Sequence, residues 1–232
     1  LSVDVKAAKA IDGVVSVLTY EDIAGLPPID FRATTFVGLE PFRQPILAQG
    51  RVRYVGEPIA AVLAKDPYIA EDAAQLVLVD IEEKPAVIDA AADPSEFLTA
   101  EDTEVTVIRK SYGDVEGAFS TPVEVIELDL RIGRHSGVPL ECRGGVARVN
   151  SDTGVLEFYG ATKRPHPNRE LIAKTLGLDL LLVHLFEGNV GGGFGVRGEL
   201  YPDDFLICVA ALRYKKPVRW IEDRREHLLT SN

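Results

Sequence analysis

The feature that most constrains this sequence is a concentration of glycine between Gly188 and Gly198, where six of the eleven residues are glycine. The mostly apolar residues 181–186 before it predict a strand, and residues 202–214 after it predict a helix. Glycine loses more conformational freedom on folding than any other residue, so this cluster indicates positive φ angles or very close backbone approach. A cradle of backbone amides around an anionic group needs both. A tight connection between packed elements is the alternative, and the density of glycine favours the cradle.

A dinucleotide is one candidate ligand, because Gly193–Gly198 matches the pattern G-x-G-x-x-G and Glu222 follows at a distance that allows a ribose contact. In that motif the last glycine packs inside the helix, whereas the helix predicted here begins only at Pro202. Residues 223–225 after Glu222 are of mixed charge and are interpreted as a solvated loop. A phosphate-binding P-loop is excluded, since no glycine is followed by Lys and Ser/Thr. A nicotinamide-dependent dehydrogenase therefore stays open as an alternative function.

The charge and composition disfavour several classes of partner. The formal net charge is −11, which disfavours nucleic acid and anionic membranes, and 46% hydrophobic residues indicate a folded protein. No apolar run approaches the roughly 18–20 residues that span a bilayer. The two cysteines, Cys142 and Cys208, are far apart and predict neither a zinc site nor a disulfide framework. We expect a cytoplasmic protein without a membrane or nucleic-acid partner.

The order of predicted elements indicates strands and helices in two parts. Residues 14–18 predict a strand, and residues 58–81 predict a compact strand–helix–strand unit whose helix is capped by Asp66 and begins at Pro67. Residues 85–115 are weakly patterned and predict a domain linker. The second part contains further predicted strands at residues 155–159, 181–186 and 218–221, and helices at residues 168–176 and 202–214.

The ends of the sequence also constrain its interpretation. It contains no methionine, begins at Leu1 and stops directly after a strongly patterned segment. We therefore expect a piece of a longer protein.

The glycine-rich stretch resembles a motif of a known protein family. The five residues Gly191–Gly195 are similar to the molybdopterin loop of the xanthine dehydrogenase, aldehyde oxidase and carbon monoxide dehydrogenase superfamily, the molybdenum hydroxylases. The likeness extends over nearly the whole chain and in the same order. The family's hammerhead domain is similar to this chain at Ser2–Ala8, Gly13–Val15 and Val55–Ala60. The family's molybdenum-binding domain is similar to it at Pro139–Glu141, Gly154–Phe158 and Lys216–Trp220.

The resemblance implies an α+β fold with two domains. Residues 1–90 would form a small α/β hammerhead domain, residues 91–115 a linker, and residues 116–232 the first lobe of a mixed α/β molybdopterin-binding domain.

The resemblance also implies a molybdenum–molybdopterin cofactor, and leaves open whether it has the cytosine dinucleotide form. The residues that would bind it are Gly191, Gly192, Gly193, Phe194, Gly195 and Lys163, of which Lys163 stands where many relatives have a glutamine. No side chain of this chain is predicted to ligate the metal. Xanthine-oxidising members have a substrate-binding glutamate where this sequence has Gly198, with Glu199 one step further, so the likeness argues against a purine substrate.

The function implied is hydroxylation of an aldehyde, an N-heterocycle or a similar small molecule, with oxygen taken from water. A glutamate acts as base in this family and would lie outside this chain, so the catalytic residue is not assigned and the isolated chain is expected to be inactive. Expected partners are the remainder of the large subunit or a second molybdopterin-binding chain, together with subunits carrying Fe–S clusters and FAD. We expect an oligomer. A non-catalytic assembly module is a further alternative.

Other polar residues have two interpretations each. Glu57 would shape a substrate funnel or stabilise a turn. Arg143 would hold the phosphate of the pterin or pair internally. His166, near Arg164 and Arg169, suggests a general base but has no paired nucleophile, which favours a structural role.

Overall fold

A computed structural model describes residues 1–31, 39–86, 88–89, 108–121, 124–133 and 135–231. The chain divides into two compact units. One contains residues 1–34, 43–84 and 136–232, and the other contains residues 35–42 and 85–135. The predicted linker lies largely outside the described residues, and the predicted domain boundaries stay predictions.

The first 84 residues of the larger unit form two antiparallel pairs of strands with short helices. Strand β1 pairs with β4 and strand β2 pairs with β3. The segment 58–81 contains a strand, a helix and a strand as predicted, but its two strands pair with different partners and not with each other. The elements are β1 (Ser2–Asp4), α1 (Lys6–Lys9), β2 (Val14–Leu18), α2 (Tyr20–Ile23), β3 (Ala61–Ala64), α3 (Pro67–Ala74) and β4 (Leu78–Asp80).

The start of α3 follows from its sequence. The Asp66 side chain accepts hydrogen bonds from the backbone N–H groups of Tyr68 at 2.9 Å and Ile69 at 3.0 Å, and Pro67 occupies the first helical position. An N-cap carboxylate satisfies amides that have no partner within the helix, and proline has no amide to satisfy. The predicted cap is confirmed.

The rest of the larger unit is a four-stranded mixed sheet with helices. Its strand order is β7-β6-β5-β8; β5 is antiparallel to both neighbours, and β6 is parallel to β7. The bounds of α6 and β8 agree with the sequence prediction. The elements are β5 (Gly144–Val149), β6 (Leu156–Gly160), α5 (Pro165–Leu176), β7 (Val183–Phe186), α6 (Pro202–Tyr214), β8 (Val218–Ile221) and α7 (Arg224–Thr230).

The interpretation of residues 223–225 as a solvated loop is wrong. Asp223 caps α7: its carboxylate accepts from the backbone N–H of Glu226 at 2.7 Å, and the Glu226 carboxylate accepts from the N–H of Asp223 at 3.0 Å. This reciprocal capping box satisfies two amides at the helix start. The charges belong to a helix end and its exposed face.

One hydrophobic core joins the early strands and helices to the later sheet. Leu18, Ile23 and Leu47 are buried in the same cluster as side chains of β6, α5 and α6, among them Phe158 and Phe205. The contact continues at residues 54–57, where Gly56 has φ +93° and a Cβ there would lie 2.3 Å from Cγ2 of Thr230 in α7.

The smaller unit contributes helix α4 (Val115–Ser120) and a 3-10 turn at Glu40–Phe42. The structure assigns neither helix nor strand to residues 124–133. Among the described residues, no helix has both the length and the apolar character needed to cross a bilayer.

Candidate functional site

The glycine-rich loop connects β7 to α6, and several of its backbone amides have no acceptor in the described part of the chain. Gly192, Phe194 and Gly195 have φ angles of +105°, +46° and +106°. Within the described part of the chain, the N–H groups of the four consecutive residues 192–195 have no hydrogen-bond acceptor. Successive backbone N–H groups in a tight turn can form a concave donor site for an anion.

A second segment packs closely along this loop. The N–H of Gly191 donates to Oε2 of Glu141 at 2.8 Å, and the N–H of Glu141 donates to the Gly191 carbonyl at 3.2 Å. A Cβ at Gly191 would lie 2.6 Å from Cβ of Glu141, and one at Gly192 would lie 3.1 Å from Cβ of Pro139. These glycines are needed for close approach of the two backbones, as the sequence indicated.

Phe194 combines a strained backbone with an exposed ring. Its φ is +46°, and a positive φ at a non-glycine residue costs roughly 1–2 kcal/mol. Phe194 is nevertheless 77% exposed. A Cβ at Gly137 would lie 2.8 Å from Cβ of Phe194, so this neighbour must also be small. An outlier of this kind typically marks a functional position held by its surroundings.

Arg197 anchors the loop, although the sequence pattern does not predict this role. The residue is 4% exposed, and one guanidinium nitrogen, Nη2, donates to the carbonyls of Glu141 at 2.8 Å and Cys142 at 2.7 Å. The same nitrogen lies 3.6 Å from the Glu141 carboxylate. The only available signal was an arginine within a run of small and apolar residues, which does not distinguish a buried side chain from an exposed one.

Lys163 reaches the loop through its backbone. Its N–H donates to the Arg197 carbonyl at 2.8 Å, while its side chain is exposed. The structure therefore brings the loop residues Gly191–Gly195 and Lys163 to one region of the molecule, joined by Arg197.

Arg143 pairs internally, which decides between its two interpretations. Its guanidinium contacts Glu222 at 2.6 Å and Asp203 at 2.8 Å, and its Cζ lies 3.8 Å from the centroid of the Tyr201 ring. Burial raises the pKa of the Glu222 carboxyl, but the hydrogen bonds and charge of Arg143 outweigh it and lower the pKa overall. His227 completes the cluster, with Nδ1 2.8 Å from Glu222.

This cluster removes the support for the dinucleotide interpretation. Glu222 is 2% exposed and fully engaged, so it is not available to a ribose. Gly198 ends a 3-10 turn (Val196–Gly198), and α6 begins only at Pro202. The last glycine of the pattern is thus outside the helix that it would have to enter.

Two further candidates, Glu57 and Arg169, make structural contacts. Glu57 accepts from the backbone N–H of Arg53 at 2.5 Å and from its guanidinium at 3.0 Å, which stabilises a turn. Arg169 donates to the carbonyls of Val183 and Leu180, and His166 is exposed. Over the residues that the structure covers, no three His, Cys, Asp or Glu side chains are grouped as metal ligands.

Comparison with protein families matches both parts of the chain. The aldehyde oxidase and xanthine dehydrogenase a/b hammerhead domain matches residues 1–85, and the molybdopterin cofactor-binding domain matches residues 98–232, more than half of the chain. The chain belongs to the molybdenum hydroxylases. The family and the α+β fold class expected from the sequence are confirmed.

Relatives place the chain within the large subunit of these enzymes. Subunit gamma of the 6-hydroxypseudooxynicotine dehydrogenase complex of Paenarthrobacter nicotinovorans is 36% identical over 239 residues, which cover 100% of this chain and 30% of the relative. The carbon monoxide dehydrogenase large chain of Afipia carboxidovorans is 32% identical over 249 residues, again 100% of this chain and 30% of the relative. The chain thus spans about 30% of the length of these molybdenum hydroxylase subunits.

A solved structure shares the fold. The crystal structure of quinoline 2-oxidoreductase from Pseudomonas putida 86 matches with a TM-score of 0.85 at 34% identity, over 97% of this chain and 29% of that chain.

Proposed function

We propose that this chain supplies the glycine-rich wall of a molybdenum–molybdopterin site, through Gly191, Gly192, Gly193, Phe194, Gly195 and Lys163. The observation that carries the proposal is the run of four backbone N–H groups at residues 192–195 without acceptors in the described chain. The residues fit the group, because an anionic cofactor supplies the acceptors that these amides lack. A cytosine dinucleotide form of the cofactor would need contacts beyond this loop.

Each loop residue has a physical role in this proposal. The amides of Phe194 and Gly195 donate to the anionic ligands, and the exposed Phe194 ring excludes water from one side. The Lys163 ammonium adds positive charge beside the loop. Arg197 fixes the loop to residues 141–142, so that the donors are already oriented before the cofactor binds. The cofactor, once bound, supplies hydroxylation with oxygen from water and accepts the electrons.

The proposed substrates are small molecules such as aldehydes and N-heterocycles. The support is the naming of relatives: a nicotine 6-hydroxylase large subunit is 33% identical, and the quinoline oxidoreductase above is 34% identical. The proposed partners are the rest of the large subunit, or a second molybdopterin-binding chain, and subunits with Fe–S clusters and FAD, in a cytoplasmic oligomer. The base would come from outside these 232 residues, so the isolated chain would be inactive.

The test compares two glycines of the same loop in the assembled enzyme. A Cβ at Gly192 meets Pro139 and Phe194 at 3.1 Å and sits at φ +105°, whereas Gly188 has nothing within 4 Å and no positive φ. We expect Gly192→Ala to lower the molybdenum and pterin content at least roughly tenfold, since the loop must distort. Elemental analysis and pterin fluorescence measure this, with Gly188→Ala as the control.

Two results would reject the proposal. Gly192→Ala could retain the full molybdenum content, or the wild-type enzyme could contain none. The second result would favour the non-catalytic assembly module. Mass spectrometry of products formed from quinoline or benzaldehyde in ¹⁸O-water tests the substrate class separately.

A further inference from the structure

Within the segment 124–133, residues 126–132 alternate strictly between apolar and charged side chains. Apolar side chains stand at every second position and are unusually exposed: Ile126 at 74%, Leu128 at 76%, Leu130 at 75% and Ile132 at 83%. Charged residues occupy the positions between them, at 127, 129 and 131. A period of two is typical of a strand with one buried face.

This segment has no partner among the described residues. Its backbone groups form no hydrogen bond there, and the structure assigns it no strand. A row of unpaired backbone groups beside four exposed apolar side chains is a template for pairing with another strand. Folded proteins rarely leave such a row uncovered.

We propose that residues 124–133 form a β-strand that pairs with the part of the large subunit outside this chain and buries its apolar face there. The chain spans about 30% of the length of its molybdenum hydroxylase relatives, so most of the subunit lies beyond it. The rest of the subunit can provide a strand edge that pairs with the backbone of the segment. It can also provide a second layer that covers the apolar side chains.

A second copy of the chain fits less well as the partner. Antiparallel self-pairing centred on Leu128 puts Glu127 opposite Asp129, which is destabilising, whereas centring on Leu130 puts Asp129 opposite Arg131. Charge therefore does not decide against a second copy, but a two-stranded ribbon of identical segments would leave both apolar faces on one uncovered side. Such an isolated ribbon is only marginally stable in water.

The experiment compares hydrogen exchange of the 124–133 amides in the 232-residue chain alone and in the assembled hydroxylase that contains it. We expect exchange in the assembly to be slower by roughly 100-fold, because strand amides exchange only on opening. Leu128→Ser/Leu130→Ser should reduce recovery of the assembled enzyme, whereas Glu127→Ser/Asp129→Ser on the charged face is the matched control.

Each other outcome overturns the proposal. Fast exchange in the assembly would show that the segment stays unpaired. Protection in the isolated chain, with a concentration-dependent dimer in sedimentation velocity, would identify a second copy as the partner. If the serine variant does not fold, the exchange of the wild-type protein decides alone. Molybdenum content is measured on the same samples, so loss of cofactor binding and loss of strand pairing are distinguished.

Discussion

Arg197 and Arg213 make similar contacts in different surroundings. Both donate from Nη2 to a main-chain carbonyl, but Arg197 is buried within the glycine-rich loop, whereas Arg213 is exposed and donates to the Asp22 carbonyl at 2.5 Å. A buried carbonyl that loses its hydrogen-bond donor stays without a partner, which destabilises the fold by the full desolvation free energy of the group. An exposed carbonyl forms a hydrogen bond with water instead. The value of each arginine therefore depends on its burial.

We expect Arg197→Met to lower the free energy of unfolding by about 2 kcal/mol or more, since the carbonyls of Glu141 and Cys142 lose their donor. Arg213→Met should cost about 0.5 kcal/mol. Urea denaturation of the two variants measures both values. Equal losses would show that Arg197 is not a buried anchor.

At the scale of single elements, the start of α6 collects two acidic residues. Asp204 accepts from the backbone N–H of Tyr201 at 2.9 Å and lies beside Asp203, which pairs with Arg143. Burial, followed by the charge of Asp203, raises the pKa of Asp204 to about 7 from its usual 3.8. The folded state therefore favours the protonated form of the Asp204 carboxyl at the start of α6.

Asp204→Asn should therefore stabilise the chain increasingly as pH rises. Between pH 4 and 7 the folded state binds more protons at Asp204 than the unfolded state does, so the stability contribution of this group falls with rising pH. Asparagine keeps an acceptor for Tyr201 and removes the charge. Thermal unfolding at pH 5 and pH 8 measures the gain, which should be larger at pH 8.

Asp22 is the matched control, because its exposed side chain accepts from the N–H of Thr19 at 2.8 Å at the equivalent position of helix α2. A gain of the same size at both pH values would rule out the titration of Asp204.

Elements with strong local signals could be predicted from the sequence, and those set by distant contacts could not. The start of α6 follows from Pro202, and β8 follows from the β-branched and aromatic residues Val218, Trp220 and Ile221. Strand β5 was not predicted, because glycine and arginine interrupt its apolar pattern and pairing with β6 and β8 defines it. The loop was identified from glycine alone, whereas Arg197 acts on residues more than 50 positions away.

At the scale of the whole molecule, residues 54–57 meet α7 at a contact that requires glycine. In Gly56→Ala, the positive φ would lower the free energy of unfolding by roughly 1–2 kcal/mol. The clash with Cγ2 of Thr230 would lower it by roughly 1–3 kcal/mol more. Gly50→Ala also has a positive φ, +64°, but nothing lies within 4 Å, so only the first cost applies. Chemical denaturation should therefore show a larger loss for Gly56→Ala.

A second substitution isolates the clash. Thr230→Ser removes Cγ2 but keeps the hydroxyl that contacts Arg143 and Glu222, both at 3.1 Å. Combined with Gly56→Ala, it should recover most of the difference from Gly50→Ala. No recovery would mean that this contact does not link the two parts of the chain.

The shared core has a consequence for how such genes can recombine. Because Leu18, Ile23 and Leu47 are buried with side chains of β6, α5 and α6, each matched family segment covers part of the other's interior. A chimera that takes residues 1–85 from a distant homologue would have mismatched shapes at that interior, with cavities or overlaps. Inheritance should therefore keep the two segments together, even where their outer surfaces diverge.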